Sequence, residues 1–550
     1  MDSVVLDSPV GVAERASLAA LLRCCVREIA GPRGRVWPAR PHLLAEVAGT
    51  LIRARVHGGT ALRVEGTPEW LCEGAWRPLG LDLLTRLIEA ELGGPNAEFT
   101  AQVAESREVT ARLLKEREAA EPPADPWLAS EQSLLFGHPF HPAPKARGDA
   151  DWLPYAPEAH ARFPLRLLAV RDDLAASEGD TAVLDGLGEA PAGYTLLPAH
   201  PWQLALLAAD LAGPLADGRL IDLGDAPGAV APTSSVRTVH DPVTGRCLKF
   251  SLHVRITNCV RKNAWYELIG AVDLTRRLTP VFDALADAFP GTRWLPEPGY
   301  RSAAITPRLL EGLGVIVRAD PRQVCGPGVT PLLAGALALS AEESRLAGPA
   351  VSDHVSGDLS GAGADVLSSA AAARRRDPEG WWAAYVDRVA PPVFEAYFRH
   401  GVVLEPHVQN VLVGVDAAGY PAEAVFRDLE GTKLVAGRHD LSGLPPRVAD
   451  ALTYDAERGW KRVVYCLIVN HLAEIAATVA GPCGDPAPLW AIARDRLAAY
   501  AGRAGRPLPL SGLLAGTPLP AKANLTVRWS AAADRAAGYV PIANPLAGTA

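Results

Sequence analysis

Residues 245–258, GRCLKFSLHVRITN, alternate apolar and polar side chains without a break. Leu248, Phe250, Leu252, Val254 and Ile256 take one face, and Lys249, Ser251, His253, Arg255 and Thr257 take the other. Period-two alternation is the mark of a half-buried strand. The turn-forming DPVTG at 241–245 runs into it, so Ser234–Val239 is expected as its hairpin partner. The polar face is unusual, because residues 246–263 hold Arg246, Lys249, Arg255, Arg261 and Lys262 and no acid. A solvated sheet face normally mixes both signs, so this one is read as facing an anion.

The flanks read differently. Residues 11–30 and 82–120 carry helical spacing, with Leu83, Leu84, Leu87 and Ile88 on one side. EPPADP at 121–126 breaks that pattern and marks a boundary. A helix is expected over 262–289, a flexible loop or poor helix over 361–377, and further helices near 381–400, 458–480 and 487–503. A hairpin interrupts them, with strands at 408–415 and 422–429. The sum is an α+β chain, and 550 residues are enough for two or three domains.

Composition narrows the function. There are 54 basic and 62 acidic residues, a net charge of −8, which argues against a nucleic-acid footprint. The eight cysteines form no CxxC pair. The N-terminal residues lack the pattern of a signal peptide, and no unbroken apolar run of membrane-spanning type is seen. A soluble, reduced, cytoplasmic protein is expected, with no membrane partner. The chain has seven lysines among its 54 basic residues. Such a bias toward arginine makes each remaining lysine a position where a compact ammonium is wanted. They are Lys115, Lys145, Lys249, Lys262, Lys433, Lys461 and Lys522.

Five short segments carry the chemistry. In GHPFHPAPKARG (137–148) three prolines rule out a helix interior, leaving a stiff loop that holds His138, His141, Lys145 and Arg147. An anion site is favoured there over a metal site, with a purely structural turn as the remaining alternative. LPAHPWQ (197–203) opens a helix beside a buried tryptophan. TSSVRT (233–238) brings Ser235, Arg237 and Thr238 toward Lys249 and Thr257, a set suited to a triphosphate. In EPHVQNVLV (405–413) and RDLEG (427–431), an Asn before a short strand and an Asp on the returning one suit Mg²⁺ held against a nucleotide. PAKANLT (520–526) is a polar cluster that says little alone. No P-loop, GxGxxG turn or nucleophile elbow accompanies them.

Taken together and in this order, these words resemble the IucA/IucC family of siderophore synthetases that work without a peptide-synthetase template. The resemblance spans residues 137–528; the first 130 residues carry no such word. It implies a hand-like fold: a helical N-terminal thumb (1–135), a fingers domain with an antiparallel ATP-binding sheet (136–320) and a mainly helical palm (321–550). It implies ATP-dependent adenylation of a carboxylic acid, most often citrate. Attack by an amine or alcohol then gives an amide or ester, with AMP and pyrophosphate released. The site it implies has Arg261, His407 and Lys249 as catalytic residues. His138, His141, Lys145, Arg147, Ser235, Arg237, Thr238, Lys249, Thr257, Gln409 and Asn410 contact ATP, and Glu405 and Asp428 hold Mg²⁺. A homodimer is also implied. Two rivals stand beside this reading. One is a small-molecule kinase built on His407, Asn410 and Asp428. The other is a ferric-siderophore-binding or reductase-related protein, which would want an iron–sulfur cysteine set where only Cys466 and Cys483 occur.

Overall fold

The computed structural model describes residues 8–148, 151–256, 259–260, 262–346, 362–532 and 538–547. Helix Pro9–Cys25 starts on Ser8, whose Oγ accepts from the Gly11 amide (3.2 Å), and runs into a π-helical turn, Val26–Ala30. The helical expectation for residues 1–135 then needs correcting. Strands Val36–Ala39, His42–Val47, Thr50–His57, Arg63–Cys72 and Ala75–Pro78 form a five-stranded antiparallel sheet in chain order. Two of its turns, Ala48-Gly49 and Glu73-Gly74, put both central residues at positive φ, the two-residue hairpin geometry. Ala and Glu stand where Asn or Asp would have announced such a turn, so the hairpins escape a reading by turn residues. Helices Leu81–Glu91 and Ala97–Ala119 follow, and Leu21, Ile52, Leu84 and Phe99 share one core between helices and sheet.

The expected hairpin is present, as Thr238–Asp241 paired with Arg246–Phe250. It lies in a six-stranded sheet with Ala231–Pro232 on one side and Val315–Arg318, Gly299–Ala303 and Ala175–Gly179 on the other. A three-stranded sheet, with Arg166–Arg171 between Tyr194–Ala199 and Leu220–Asp225, shares its core. The long alternating segment does not stay one strand. After Phe250 the chain leaves the ladder, and the His253 amide donates to Gln203 Oε1 (2.8 Å). Leu252 and Val254 keep their alternation but pack on Trp152 and Trp202 in a separate cluster. LPAHPWQ thereby acquires a structural role. His200 caps helix Pro201–Leu206, Trp202 fills that cluster and Gln203 receives the departing strand.

Helix Trp265–Ala288 joins the two halves. Leu268, Ala271 and Val272 pack on Tyr300 and Ile316 of the six-stranded sheet, while Leu274, Leu278, Phe282 and Leu285 enter the large C-terminal core. That core holds Trp381, Trp382, Tyr385 and Phe394 of helix Pro378–Phe398, all fully buried. The expected hairpin is Val411–Val415 with Pro421–Phe426, inside a four-stranded sheet completed by Thr292–Trp294 and Thr330–Leu333. Residues 456–480 form one helical run, α-helical at each end and π-helical over Tyr465–Leu472. It is long and apolar enough to cross a membrane, and 83% of its most apolar window is buried inside the molecule. The described part of the poor-helix segment is helical, Ala362–Arg376.

Candidate active site

A cleft of about 1490 Å³ runs between these parts. Its walls come from helix Pro9–Cys25, the His-Pro loop, the 234–237 turn, the start of helix Trp265–Ala288, the 405–410 loop, residues 428–433 and the 456–480 run. The sparse lysines gather here. Lys145, Lys262, Lys433 and Lys522 line the cleft, and Lys249 reaches its edge through Asp428. Lys115 and Lys461 are exposed elsewhere.

Four histidines share one local device. The ring Nδ1 accepts the backbone N–H two residues on: His138 from Phe140 (3.0 Å), His141 from Ala143 (3.1 Å), His200 from Trp202 (3.2 Å) and His407 from Gln409 (3.3 Å). A neutral ring with Nδ1 as acceptor carries its proton on Nε2. His138, His141 and His407 line the cleft; the Nε2–H of His141 and His407 is turned to that side, while His138 Nε2 lies 3.3 Å from the Asn470 side-chain amide. Burial, with His141 and His407 close by, lowers the His138 pKa well below the ordinary value and keeps that ring neutral. The i, i+3 histidine pair is thus committed to the loop's own turns rather than to a metal.

Lys145 and Arg147 of the same loop converge on Glu158, with Arg147 Nη2 at 2.6 Å from Oε1 and Lys145 Nζ bonded to the same oxygen. Glu158 stands in the 3₁₀ turn Pro157–Ala159, and nothing in its local sequence marks it. Burial opposes its charge, but Arg147 and Lys145 outweigh burial and hold it down to about 2. Two cations share one carboxylate, and Arg147 Nε and Nη1 are buried without a hydrogen-bond partner. Glu158 Oε2 is also without a partner and Glu105 Oε1 accepts from the Arg147 amide (2.7 Å), so it is the orphaned guanidinium donors that fit an anion here. The ion pairs stabilise the fold fully above the ordinary carboxylate value of 4.5 and lose that contribution as pH falls toward about 2. Glu158→Gln is expected to be less stable at pH 7 and to decline less steeply than the parent over that acid range. Urea unfolding at a series of pH values measures this, and parallel declines would dismiss the role.

The basic sheet face meets acids from the RDLEG segment. Lys249 is 2% exposed, and its Nζ lies 2.8 Å from Asp428 Oδ1, 3.2 Å from Glu430 Oε2 and 3.6 Å from Glu297 Oε1. Arg237 pairs with Glu430 and donates to Asn263 Oδ1 (2.7 Å), and Arg318 Nη2 lies 3.4 Å from Asp428 Oδ1. Burial works against the Lys249 charge, but Asp428, Glu297 and Glu430 hold its pKa above the ordinary value. Burial likewise opposes ionisation of Asp428, which Lys249, Arg318 and Arg237 nevertheless keep well below the usual carboxylate range. Glu430 is held down to about 2 against burial by Arg237 and Lys249. Next to it, burial and the Glu430 charge push Glu267 up to about 7. Asp428 adopts φ +74°, a left-handed conformation that aspartate tolerates better than most residues.

Several expected residues are placed otherwise. Ser235 and Thr238 do not line the cleft: Ser235 Oγ accepts from the Thr238 amide (3.3 Å), and Thr238 is buried across the ladder from Lys249. Ser234 takes the cleft position instead. Lys249 lies behind the wall rather than on it. Arg261 and Thr257 lie outside the described residues. Gln409 and Asn410 line the cleft, and two residues given no role from the sequence, Arg427 of RDLEG and Glu131, hold them there. Arg427 donates to the Gln409 carbonyl from Nε (3.0 Å) and Nη2 (2.6 Å) and forms a two-pronged pair with Glu131 (2.5 and 3.1 Å). Glu131 also receives the Ser234 amide (3.2 Å) and hydroxyl (2.9 Å), so one buried pair ties the 405–410 loop to the 234–237 turn. Arg427 adjoins Asp428 and could have been found from that neighbourhood; Glu131 offered no signal.

Glu405 lines the cleft and faces Arg462 (Nε to Oε1, 2.7 Å). Among the described residues, no three His, Cys, Asp or Glu side chains gather as a metal cage. Mg²⁺ bound with a nucleotide needs no cage, since one or two carboxylates plus phosphates suffice. Asp428 meets both Lys249 and Arg318 through Oδ1, which leaves Oδ2 as the oxygen suited to such an ion.

The IucA / IucC family model matches residues 126–339, and a model described as ferric iron reductase FhuF-like transporter matches residues 379–537. The chain is 32% identical over 460 residues to the rhizobactin siderophore biosynthesis protein RhbC of Rhizobium meliloti (strain 1021), covering 76% of this chain and 75% of that protein. It is 29% identical over 430 residues to the L-2,3-diaminopropanoate–citrate ligase of Staphylococcus aureus (strain NCTC 8325 / PS 47), covering 73% and 70%. Among solved structures, ATP-bound aerobactin synthetase IucA from a hypervirulent pathotype of Klebsiella pneumoniae matches with a TM-score of 0.80 at 24% identity, over 97% of this chain and all of that one. Petrobactin biosynthesis protein AsbB from Bacillus anthracis str. Sterne also matches at 0.80, with 16% identity over 100% and 98% of the two chains.

Proposed function

The chain belongs to the IucA/IucC family, and from that membership and the chemistry of its cleft we propose that it is an ATP-dependent siderophore synthetase joining citrate to an amine or alcohol. A carboxylate oxygen of citrate attacks the α-phosphorus of ATP, and the bond to the pyrophosphate leaving group breaks. The nucleophile then attacks the carbonyl of the citryl adenylate, AMP leaves and one proton is released. The observation that carries this reading is the convergence on one cleft of Lys145, Arg147, Arg237, the histidine Nε2–H donors and Asp428. Bringing citrate to a triphosphate gathers negative charge, and preorganised cations and N–H donors offset it.

In this reading His141, Lys145 and Arg147 meet phosphate or carboxylate oxygens, His138 shapes the loop that carries them, and Gln409 and Asn410 contact the nucleotide. Arg237 faces the phosphates, while Lys249 keeps Asp428 ionised and in place. Arg261 and His407 hold the reacting carboxylate and the developing adenylate. Mg²⁺ bound with ATP at Asp428, with Glu405 as a second oxygen donor, supplies further charge compensation. The thumb, fingers and palm division at about residues 135 and 320 is kept as a proposal, with the thumb carrying a sheet. Because it works on ATP and citrate, the enzyme is read as cytoplasmic.

The kinase-like rival has no support among these relatives, which are named as a citrate ligase and as citryl-acetyl-hydroxylysine synthases. The reductase-like match covers the C-terminal part alone, where Cys466 is buried and Cys483 exposed. Incubation with ATP, Mg²⁺ and a panel of carboxylates, with hydroxylamine as acyl trap, is expected to yield citryl hydroxamate with equal AMP and pyrophosphate. ADP in place of AMP would overturn the proposal.

A further inference from the structure

Within the Glu405-Pro406-His407 loop, Arg462 of the buried helical run holds the Glu405 side chain, and His471 of the same run holds the backbone. Pro406 has no N–H, and the His407 amide turns back to the Glu405 carbonyl (2.9 Å), so the loop cannot be fixed by a strand ladder there. Its anchor is the Pro406 carbonyl, 2.7 Å from His471 Nδ1. His471 is fully buried, and its Nε2 lies 2.6 Å from the hydroxyl of fully buried Tyr385. Burial drives the Tyr385 phenol well above its ordinary value, so it is a neutral donor to Nε2. That places the His471 proton on Nδ1, where it is given to Pro406. Burial also lowers His471 to about 4, so the ring is neutral at working pH.

Asn470, the preceding residue, serves both histidine loops. Its carbonyl accepts from the Val408 amide (3.4 Å), and its side-chain amide lies 3.3 Å from His138 Nε2. His138 Nδ1 is already an acceptor, so the amide oxygen is the atom that fits against Nε2–H. Both residues belong to the π-helical stretch Tyr465–Leu472, a form of helix frequent at functional sites. From it two consecutive residues reach both loops at once.

We propose that Asn470 and His471 are positioning residues that hold the His138 and His407 loops in register across the cleft. The proposal rests on reading this cleft as the synthetase site. A small displacement of a reacting group costs about a hundredfold in rate. His471→Asn retains an N–H near the Nδ1 position, and His471→Gln does not. His471→Gln is expected to lower kcat for AMP formation by about a hundredfold with little change in KM for ATP, and His471→Asn to stay within about fivefold of the parent. Asn470→Ala, at a half-buried cleft position, is expected to lower kcat by at least about tenfold and provides the test should His471→Gln fail to fold. Full kcat in folded His471→Gln and Asn470→Ala, or equal losses in His471→Gln and His471→Asn, would overturn the proposal.

An inactive parent would instead refute the synthetase reading. Histidine-selective ¹⁵N spectra need no turnover and test the positioning directly. His471→Gln should shift the His407 resonances, and Asn470→Ala those of His138, with His200 unmoved in both. Unmoved His407 and His138 would overturn the proposal whatever the activity.

Discussion

Lys249→Met is expected to abolish AMP formation and to cost the fold about 3–5 kcal/mol. The ammonium is 2% exposed and is shared by Asp428, Glu430 and Glu297. Methionine preserves most of the volume, so the loss is one of charge. Arg237 and Arg318 remain, but three carboxylates, Glu297 fully buried and Asp428 and Glu430 half-buried, then face two guanidiniums. Removing one member of a buried ion cluster leaves an uncompensated charge, which is far costlier than replacing the whole cluster with apolar groups. The pH dependence identifies the cause. In the variant the carboxylates lose the partner that depresses their pKa values, so protonation near pH 5 relieves the repulsion, and the deficit should be smaller there than at pH 8. Urea unfolding at both pH values measures it. A pH-independent deficit would point to packing, and an unchanged midpoint would dismiss the cluster's role altogether.

His407→Ala is expected to reduce AMP formation by about 10²–10³-fold, the scale of losing one preorganised donor to developing charge. The melting temperature should hardly move, because His407 is a half-buried residue of the cleft wall. Alanine also deletes the bond from the Gln409 amide to Nδ1, worth about 1 kcal/mol. His407→Asn separates the two roles. Its Oδ1 can accept the Gln409 amide as Nδ1 does, but it brings no group to the Nε2 position. If Nε2–H meets the reacting carboxylate, the asparagine variant is as slow as the alanine variant and folds as well as the parent. Normal turnover in His407→Asn would reduce His407 to a turn residue. Arg261→Ala is the companion variant and is expected to show the same loss with the fold intact.

The parts legible in the sequence are those set by near neighbours along the chain. The alternation at 245–258 announced a strand, and the ladder Arg246–Phe250 is there. It could not announce that Gln203 takes over from the sheet at His253, since the apolar face runs on unbroken while its neighbours change. The five-stranded N-terminal sheet was missed because Ala48 and Glu73 hide two hairpin turns. The rarity of lysine picked out seven positions, of which five gather around one cavity and Lys115 and Lys461 do not. The same reading put Ser235, Arg237 and Thr238 on the cleft wall; Arg237 stands there, but Ser234 takes the place of Ser235 and Thr238 is buried in the ladder, because a tight turn redirects the side chains.

The sequence by itself determined the family, the α+β class and the kinds of group offered to an anion. It also determined the histidine turns, because a ring that accepts the amide two residues on depends only on local geometry. Only the tertiary structure decided which charges meet. Glu131 pairs with Arg427 across 296 residues, Lys249 with Asp428 across 179, and His471 reaches Pro406 across 65. Each cation had 62 acids to choose from, and no period or motif records that choice. It is made by the path of the chain, which brings distant carboxylates within 4 Å in a medium where an unpaired charge is too costly to leave alone.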